Sequence, residues 1–260
     1  MNLLRGERPV VKVGHRGAPA LAPENTLRSL QAAVDHGVDL VEIDVLDLAD
    51  GTLVLAHSND LMEVSHGAAA GRVRERSLPE LREIAPELPT LEEALEFVAG
   101  RDVGLQLDVK AFGHERELVD AVRRYGLLER SFASTHSIPS LRALAAVEPA
   151  LPRALTYPED RFGLTRRRLL HPAIHAGLGA LRRSLPVRLP RLLRLAAASA
   201  ATLNYTVVSA AAVGRCHALG VAVYAWTVDD RTVAESLLEI GIDGIITNDP
   251  RIFPVPLKTT

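Results

Sequence analysis

Short apolar runs recur along this chain, and stretches with helical spacing fall between them. Strands are predicted over residues 10–14, 40–45, 103–109, 131–134, 153–156, 201–203, 222–227 and 244–246. Helices are predicted over 26–36, 91–98, 114–125, 139–147, 210–219 and 232–239. Strands alternating with helices imply βαβ units and a parallel sheet. Eight strands in a chain of about 250 residues favour an α/β fold of the closed (β/α)8 TIM-barrel kind over an open sheet. Boundary signals agree. Glu24-Asn25-Thr26 and Pro89-Thr90-Leu91-Glu92-Glu93 read as capped helix starts. Gly37, Gly126, Gly220 and Gly241 each follow a helical stretch, as a helix C-terminus prefers.

Two regions break this rhythm. Residues 47–89 are too long for a simple connection. They open with Ala49-Asp50-Gly51-Thr52, the turn of a hairpin that leads to His57, and about 58–88 reads as a small insertion above the barrel mouth, after the second strand. Residues 161–194 carry Arg161, Arg166, Arg167, Arg168, Arg182, Arg183, Arg188, Arg191 and Arg194 and no acidic residue. We read this as a solvated basic helical insertion, because Pro172, Pro186 and Pro190 should interrupt any long amphipathic helix. The sharper alternative is a peripheral membrane contact or a basic surface for an anionic substrate. No second domain is expected within residues 1–260.

Composition narrows the partners. The chain has 260 residues, 47% hydrophobic and 24% charged, which is globular. A net charge of −2 gives no global field to recruit nucleic acid. The single cysteine, Cys216, excludes an intramolecular disulfide and reads as a packed, inert thiol in a reducing compartment. No signal-like apolar stretch opens the sequence, and no run of about 18 apolar residues suggests a transmembrane segment, so a cytoplasmic protein is expected. Lysine occurs only at Lys12, Lys110 and Lys258.

The candidate chemistry sits at predicted strand ends. His15 follows the first strand in Val13-Gly14-His15-Arg16-Gly17, and His57 closes Leu53-Val54-Leu55-Ala56. Val41-Glu42-Ile43-Asp44-Val45 puts Glu42 and Asp44 on one strand face, and Leu107-Asp108-Val109-Lys110 does the same for Asp108 and Lys110. Carboxylates on an apolar strand are costly to bury unless a cation meets them. An all-oxygen set suits one divalent cation, Mg²⁺, Ca²⁺ or Mn²⁺, better than zinc. Such an ion can clamp a phosphoryl oxygen, with Arg16 and Lys110 adding positive charge and His15 and His57 dividing the proton work. Taken singly, each residue has an ordinary structural reading. Their coincidence at matching strand ends is what points to a site. His136 also follows a strand near the mouth, and the remaining histidines are read as surface or loop residues.

These segments resemble the glycerophosphodiester phosphodiesterase family. The resemblance runs through His15-Arg16-Gly17, Pro23-Glu24-Asn25-Thr26, Gly37 to Val45, Asp50-Gly51-Thr52, His57, Pro89 to Glu93 and Leu107 to Lys110. It continues to Val223-Tyr224-Ala225-Trp226-Thr227-Val228 and Gly241 to Pro250, and so spans nearly the whole chain. It implies a TIM barrel and metal-dependent hydrolysis of glycerophosphodiesters to glycerol 3-phosphate and an alcohol. It further implies Glu42, Asp44 and Asp108 as metal ligands, His15 and His57 as the acid–base pair, and Arg16 and Lys110 on the phosphate. Trp226 reads equally as a wall of the glycerol site or as a barrel-core residue. Attack by the glycerol 2-hydroxyl through a cyclic phosphate is the mechanism proposed for such enzymes, with direct attack by water as the alternative.

The chain departs from the family at Ser58, where Asp often follows the histidine, at Asp108, where Glu is frequent, at Thr247-Asn248 in place of Thr-Asp, and in its arginine-rich stretch. No proposed catalytic group is lost. Lysophospholipids as substrates of a lysophospholipase D-type activity at a membrane surface are the alternative with the same chemistry. A catalytically silent binding module and an unrelated metal-dependent barrel such as a sugar isomerase are the alternatives of other classes.

Overall fold

The computed structural model describes residues 1–159 and 171–253, the side chains of 171–176 excepted. Eight parallel strands close on themselves: β1 (Val11–Gly14), β2 (Leu40–Asp47), β4 (Gly104–Val109), β5 (Ser131–Thr135), β6 (Arg153–Tyr157), β7 (Ala200–Asn204), β8 (Ala222–Trp226) and β9 (Gly244–Thr247). Pairing of β1 with both β9 and β2 completes a TIM barrel. One further strand, β3 (Leu53–Leu55), runs antiparallel to the end of β2.

β2 explains why that hairpin matters. Its first residues pair with β1 and β4, and its last three, Val45 to Asp47, pair with Leu55 to Leu53 beyond the barrel rim. The turn between them closes with the Leu48 amide donating to the Thr52 carbonyl and the Gly51 amide to the Leu48 carbonyl. The chain therefore climbs off the mouth and returns. The Ala56 amide donates to the Asp44 carbonyl at 3.1 Å, which brings His57 back beside the strand that carries Glu42 and Asp44.

Helices α1 (Leu27–Asp35), α4 (Leu91–Ala99), α5 (Glu115–Arg124), α6 (Ile138–Val147), α8 (Ala210–His217) and α9 (Arg231–Glu239) follow the predicted stretches to within two residues at each end. Thr26 caps α1 by accepting from the Ser29 amide, and Thr90 with Glu93 forms a reciprocal capping box on α4. The apolar faces of the helices bury against the sheet. The barrel floor is closed by Val13, Leu40, Phe132, Ala200 and Tyr224.

Residues 58–88 fold into α2 (Leu61–Val64), a single 3₁₀ turn and α3 (Leu78–Ile84). They build a core of their own, in which Leu61, Val73, Leu81 and Leu88 pack on Leu46, Leu48 and Val54 of the hairpin. This core fixes the insertion against the mouth.

The arginine-rich region differs from expectation. Residues 161–170, with Arg161, Arg166, Arg167 and Arg168, lie outside the described residues. From His171 to Ala196 the chain is one helix, α7, which runs through Pro186 and Pro190. It takes the place of the barrel helix between β6 and β7. Each proline inside a helix costs about 3 kcal/mol. Burying Leu185, Leu189 and Leu193, each no more than 2% exposed, returns roughly 1.5–3 kcal/mol apiece. The leucine spacing of four holds the helix together where the prolines alone would end it.

Candidate active site

All the predicted site residues come to one end of the barrel. The parallel register sets Asp44 beside Asp108 and Glu42 beside Gln106, so the carboxylates project into the barrel in adjacent layers. Glu42, Asp44 and Asp108 are buried, and ligand atoms from the three lie within 4.8 Å of one another. Neighbours orient each one. The Arg16 amide donates to Glu42 Oε2 at 2.7 Å. Asn25 Nδ2 donates to Asp44 Oδ2 at 2.8 Å, and the Ser134 hydroxyl donates to Asp108 Oδ1 at 2.6 Å.

The loop after β1 is shaped for this work. Arg16 has φ +53° and Gly17 φ +86°. A Cβ on Gly17 would stand 2.4 Å from the Ser29 backbone, so only glycine fits where the loop crosses α1. The turn aims the Arg16 amide at Glu42 while its guanidinium reaches Asp44 at 3.0 Å and Glu24 at 2.8 Å. Lys110 Nζ lies 2.6 Å from Asp44 Oδ1 and also meets Asp108 Oδ2.

These charges act strongly on one another. Burial alone would raise the Asp44 pKa, but Lys110 and Arg16 outweigh it and hold the carboxyl well below the usual range. Burial, then repulsion from Asp44 and Asp108, pushes Glu42 well above its usual value. Burial opposes the charge on Lys110, and the three carboxylates nevertheless hold its ammonium above the ordinary range. Lys110 and Arg16 thus relieve the crowding at Glu42 only in part. The donor set is all oxygen, buried and crowded with like charge, and it fits a hard divalent cation.

Each of the two histidines is gripped through Nδ1. His15 Nδ1 lies 2.7 Å from Asn248 Oδ1. Asn248 in turn donates from Nδ2 to Asp229 Oδ2 and from its backbone amide to Asp229 Oδ1, both at 2.7 Å. An ionised carboxylate only accepts, so the amide nitrogen of Asn248 faces Asp229 and its oxygen faces His15. The His15 proton therefore sits on Nδ1, and Nε2 keeps its lone pair. Burial, then the Arg16 charge, lower the His15 pKa to about 4.

His57 Nδ1 lies 2.5 Å from Glu63 Oε1, and the Ser58 hydroxyl donates to Glu63 Oε2 at 2.8 Å. The His57 hydrogen bond is the largest of the influences that lower the Glu63 pKa to about 2. One histidine thus leans on a neutral amide and the other on a full carboxylate.

Trp226 ends β8, half-buried, with its Nε1 donating to the Thr202 carbonyl at 3.0 Å. His136 faces it edge-on, with ring centroids 6.3 Å apart. Among the described residues, the other histidines with carboxylate partners, His114 on Asp47 and His217 on Asp243, pair away from the triad. Cys216 is fully buried, and burial raises its thiol to about 11, as an inert packed cysteine requires.

Glu63, Asn25, Asp229 and the role of Asn248 were missed in the sequence reading. Asn25 and Asn248 stand inside motifs that were read, but the residues they hold, Asp44 and His15, lie 19 and 233 positions away. Glu63 and Asp229 carry no local signal, because their partners are fixed only by packing.

Comparison with known proteins places this geometry in context. The model of the "Glycerophosphoryl diester phosphodiesterase family" matches residues 15–252. A glycerophosphodiester phosphodiesterase of Caldanaerobacter subterraneus subsp. tengcongensis is 28% identical over 254 residues, covering 92% of this chain and 93% of that protein. Among solved structures, an Oleispira antarctica phosphodiesterase in complex with the product sn-glycerol-3-phosphate superposes with a TM-score of 0.70 at 24% identity, covering 92% of this chain and 93% of that one. Glycerophosphodiester phosphodiesterase from Agrobacterium tumefaciens str. C58 does so with a TM-score of 0.73 at 20% identity, covering 94% and 99%. At those identities the structural likeness carries the fold alone.

Proposed function

Because the chain belongs to the glycerophosphoryl diester phosphodiesterase family, we propose that it hydrolyses glycerophosphodiesters to glycerol 3-phosphate and an alcohol, using His15 and His57 as proton-transfer groups. The observation that carries this reading is the convergence of two Nδ1-anchored histidines on one buried carboxylate triad. Glu42, Asp44 and Asp108 would hold a divalent cation, Mg²⁺, Ca²⁺ or Mn²⁺. When bound, the cation supplies Lewis-acid stabilisation of a phosphoryl oxygen.

The protein's own groups divide the remaining work. His15, neutral with Nε2 unprotonated, suits the general base that takes a proton from the attacking hydroxyl. His57, held at Nδ1 by the Glu63 carboxylate, keeps Nε2 for the reaction and suits the general acid for the leaving alkoxide. Arg16 and Lys110 bring positive charge to the non-bridging oxygens. Trp226 offers a flat, half-buried wall to the glycerol moiety.

The test is release of glycerol 3-phosphate from glycerophosphocholine and glycerophosphoethanolamine after EDTA treatment, with Mg²⁺, Ca²⁺ or Mn²⁺ restored. Metal-restored release is expected. His15→Ala and His57→Ala should each lower turnover by roughly 10²–10⁴-fold with folding intact. Wild-type rates in either variant would dismantle the acid–base roles. No release with any metal would remove the activity itself.

A further inference from the structure

The exposed side of α7 is basic and lacks the acidic partners that several arginines on other elements have. Residues 177–196 hold Arg182, Arg183, Arg188, Arg191 and Arg194 and no Asp or Glu. All five are exposed. Leu185, Leu189, Leu193 and Ala196 face the barrel. At 3.6 residues per turn, Arg183, Val187, Arg191 and Arg194 fall on the opposite side.

Several surface arginines on other elements are paired. Arg28 meets Glu87, Arg123 meets Asp120 and Glu148, Arg124 meets Glu92, and Arg251 meets Asp249. None of the five on α7 makes an ion pair among the described residues. Two apolar side chains stand out with them. Val187 is 82% exposed and Leu195 48%.

We propose that this face of α7 docks the protein on an anionic lipid bilayer surface. The arginines would lie against lipid phosphates, and Val187 and Leu195 would reach the headgroup boundary. Protruding apolar side chains among arginines gain nothing from a duplex backbone but do gain from a lipid interface. The segment holds no aromatic residue on which a nucleic-acid base could stack. The buried leucines already fix the helix, so docking requires no ordering of the segment. This inference is independent of the catalytic reading, since no site residue lies on α7.

Sedimentation of the full chain with vesicles tests it. Vesicles of mixed phosphatidylglycerol and phosphatidylcholine should bind the protein, pure phosphatidylcholine should not, and high salt should release it. Each arginine contributes about fivefold. A variant with Arg183→Gln, Arg188→Gln, Arg191→Gln and Arg194→Gln should therefore bind the anionic vesicles roughly several hundred times more weakly. Its thermal melting, followed by circular dichroism, should match wild type. Val187→Ser should weaken binding further without changing the salt response. Failure to bind anionic vesicles, equal binding to neutral ones, or undiminished binding by the well-folded variant would each overturn the proposal. Retention of a double-stranded oligonucleotide with vesicles ignored would overturn it too, and assign the face to nucleic acid.

Discussion

His57 and Glu63 meet at 2.5 Å although one ends the rim hairpin and the other stands on the first helix of the insertion. With His57 as the proposed general acid, the insertion thereby becomes part of the proton-transfer apparatus. Family members often place Asp directly after this histidine. Here Ser58 occupies that position, and its hydroxyl instead donates to Glu63, which supplies the carboxylate from a turn further on.

Glu63→Gln should therefore slow hydrolysis of alkyl diesters, by at most the roughly 10²–10⁴-fold that proton transfer contributes. The loss should be much smaller for a nitrophenyl ester, whose leaving group does not require a proton. Equal losses on both substrates would mean that Glu63 serves folding rather than His57.

The same pair has a sign in acid. Glu63 falls to about 2 in the folded protein, from about 4.3 in an unfolded chain. A depressed carboxylate stabilises above the unfolded value, and that stability is lost as pH falls through the folded one. Urea unfolding of Glu63→Gln should thus show a shallower loss of stability between those two values than wild type shows. Parallel curves would argue against it.

His15 faces the opposite problem. With its imidazole held near 4, it is neutral and competent as a base across neutral pH, and activity should rise as pH climbs through that value. Arg16 is a lowering influence, so Arg16→Gln should move this acidic limb upward along with any loss of phosphate binding. Asn248→Ala should lower turnover about tenfold by freeing the His15 tautomer, with the limb read from a pH–rate profile. An unmoved limb and unchanged turnover would release both residues from His15.

Glu42 offers a prediction with two opposite signs. Its carboxylate is crowded by burial, Asp44 and Asp108. Glu42→Gln removes that repulsion, so the metal-free variant should melt higher than metal-free wild type at neutral pH. Its melting temperature should respond far less to added Mg²⁺, Ca²⁺ or Mn²⁺. A variant that melts lower without metal, or responds to metal like wild type, would take Glu42 out of the ligand set.

The leucine stripe of α7 bears on stability alone. Leu189→Ala should cost roughly 2–5 kcal/mol in denaturant unfolding, because the side chain is fully buried and the flanking prolines leave the helix little intrinsic stability. A cost below about 1 kcal/mol, which a surface position would give, would refute that account.

Much of this was legible in the sequence, and the reason is locality. Eight apolar runs alternating with helical spacing determine the barrel, because period and order are written in neighbouring residues. The Glu-x-Asp and Asp-x-Lys spacings determine which side chains share a strand face, since that needs only the two-residue repeat. His15 and His57 were readable because each closes an apolar run. Tertiary structure decided the rest. It chose Asp229 and Glu63 as the groups behind the two histidines, and Asn25 as the donor to Asp44, because these contacts span 6 to 19 residues and follow no strand or helix period. It also decided that α7 continues through Pro186 and Pro190. Proline penalties are local and visible in sequence, whereas the burial of Leu185, Leu189 and Leu193 that outweighs them exists only once the barrel is there to receive them.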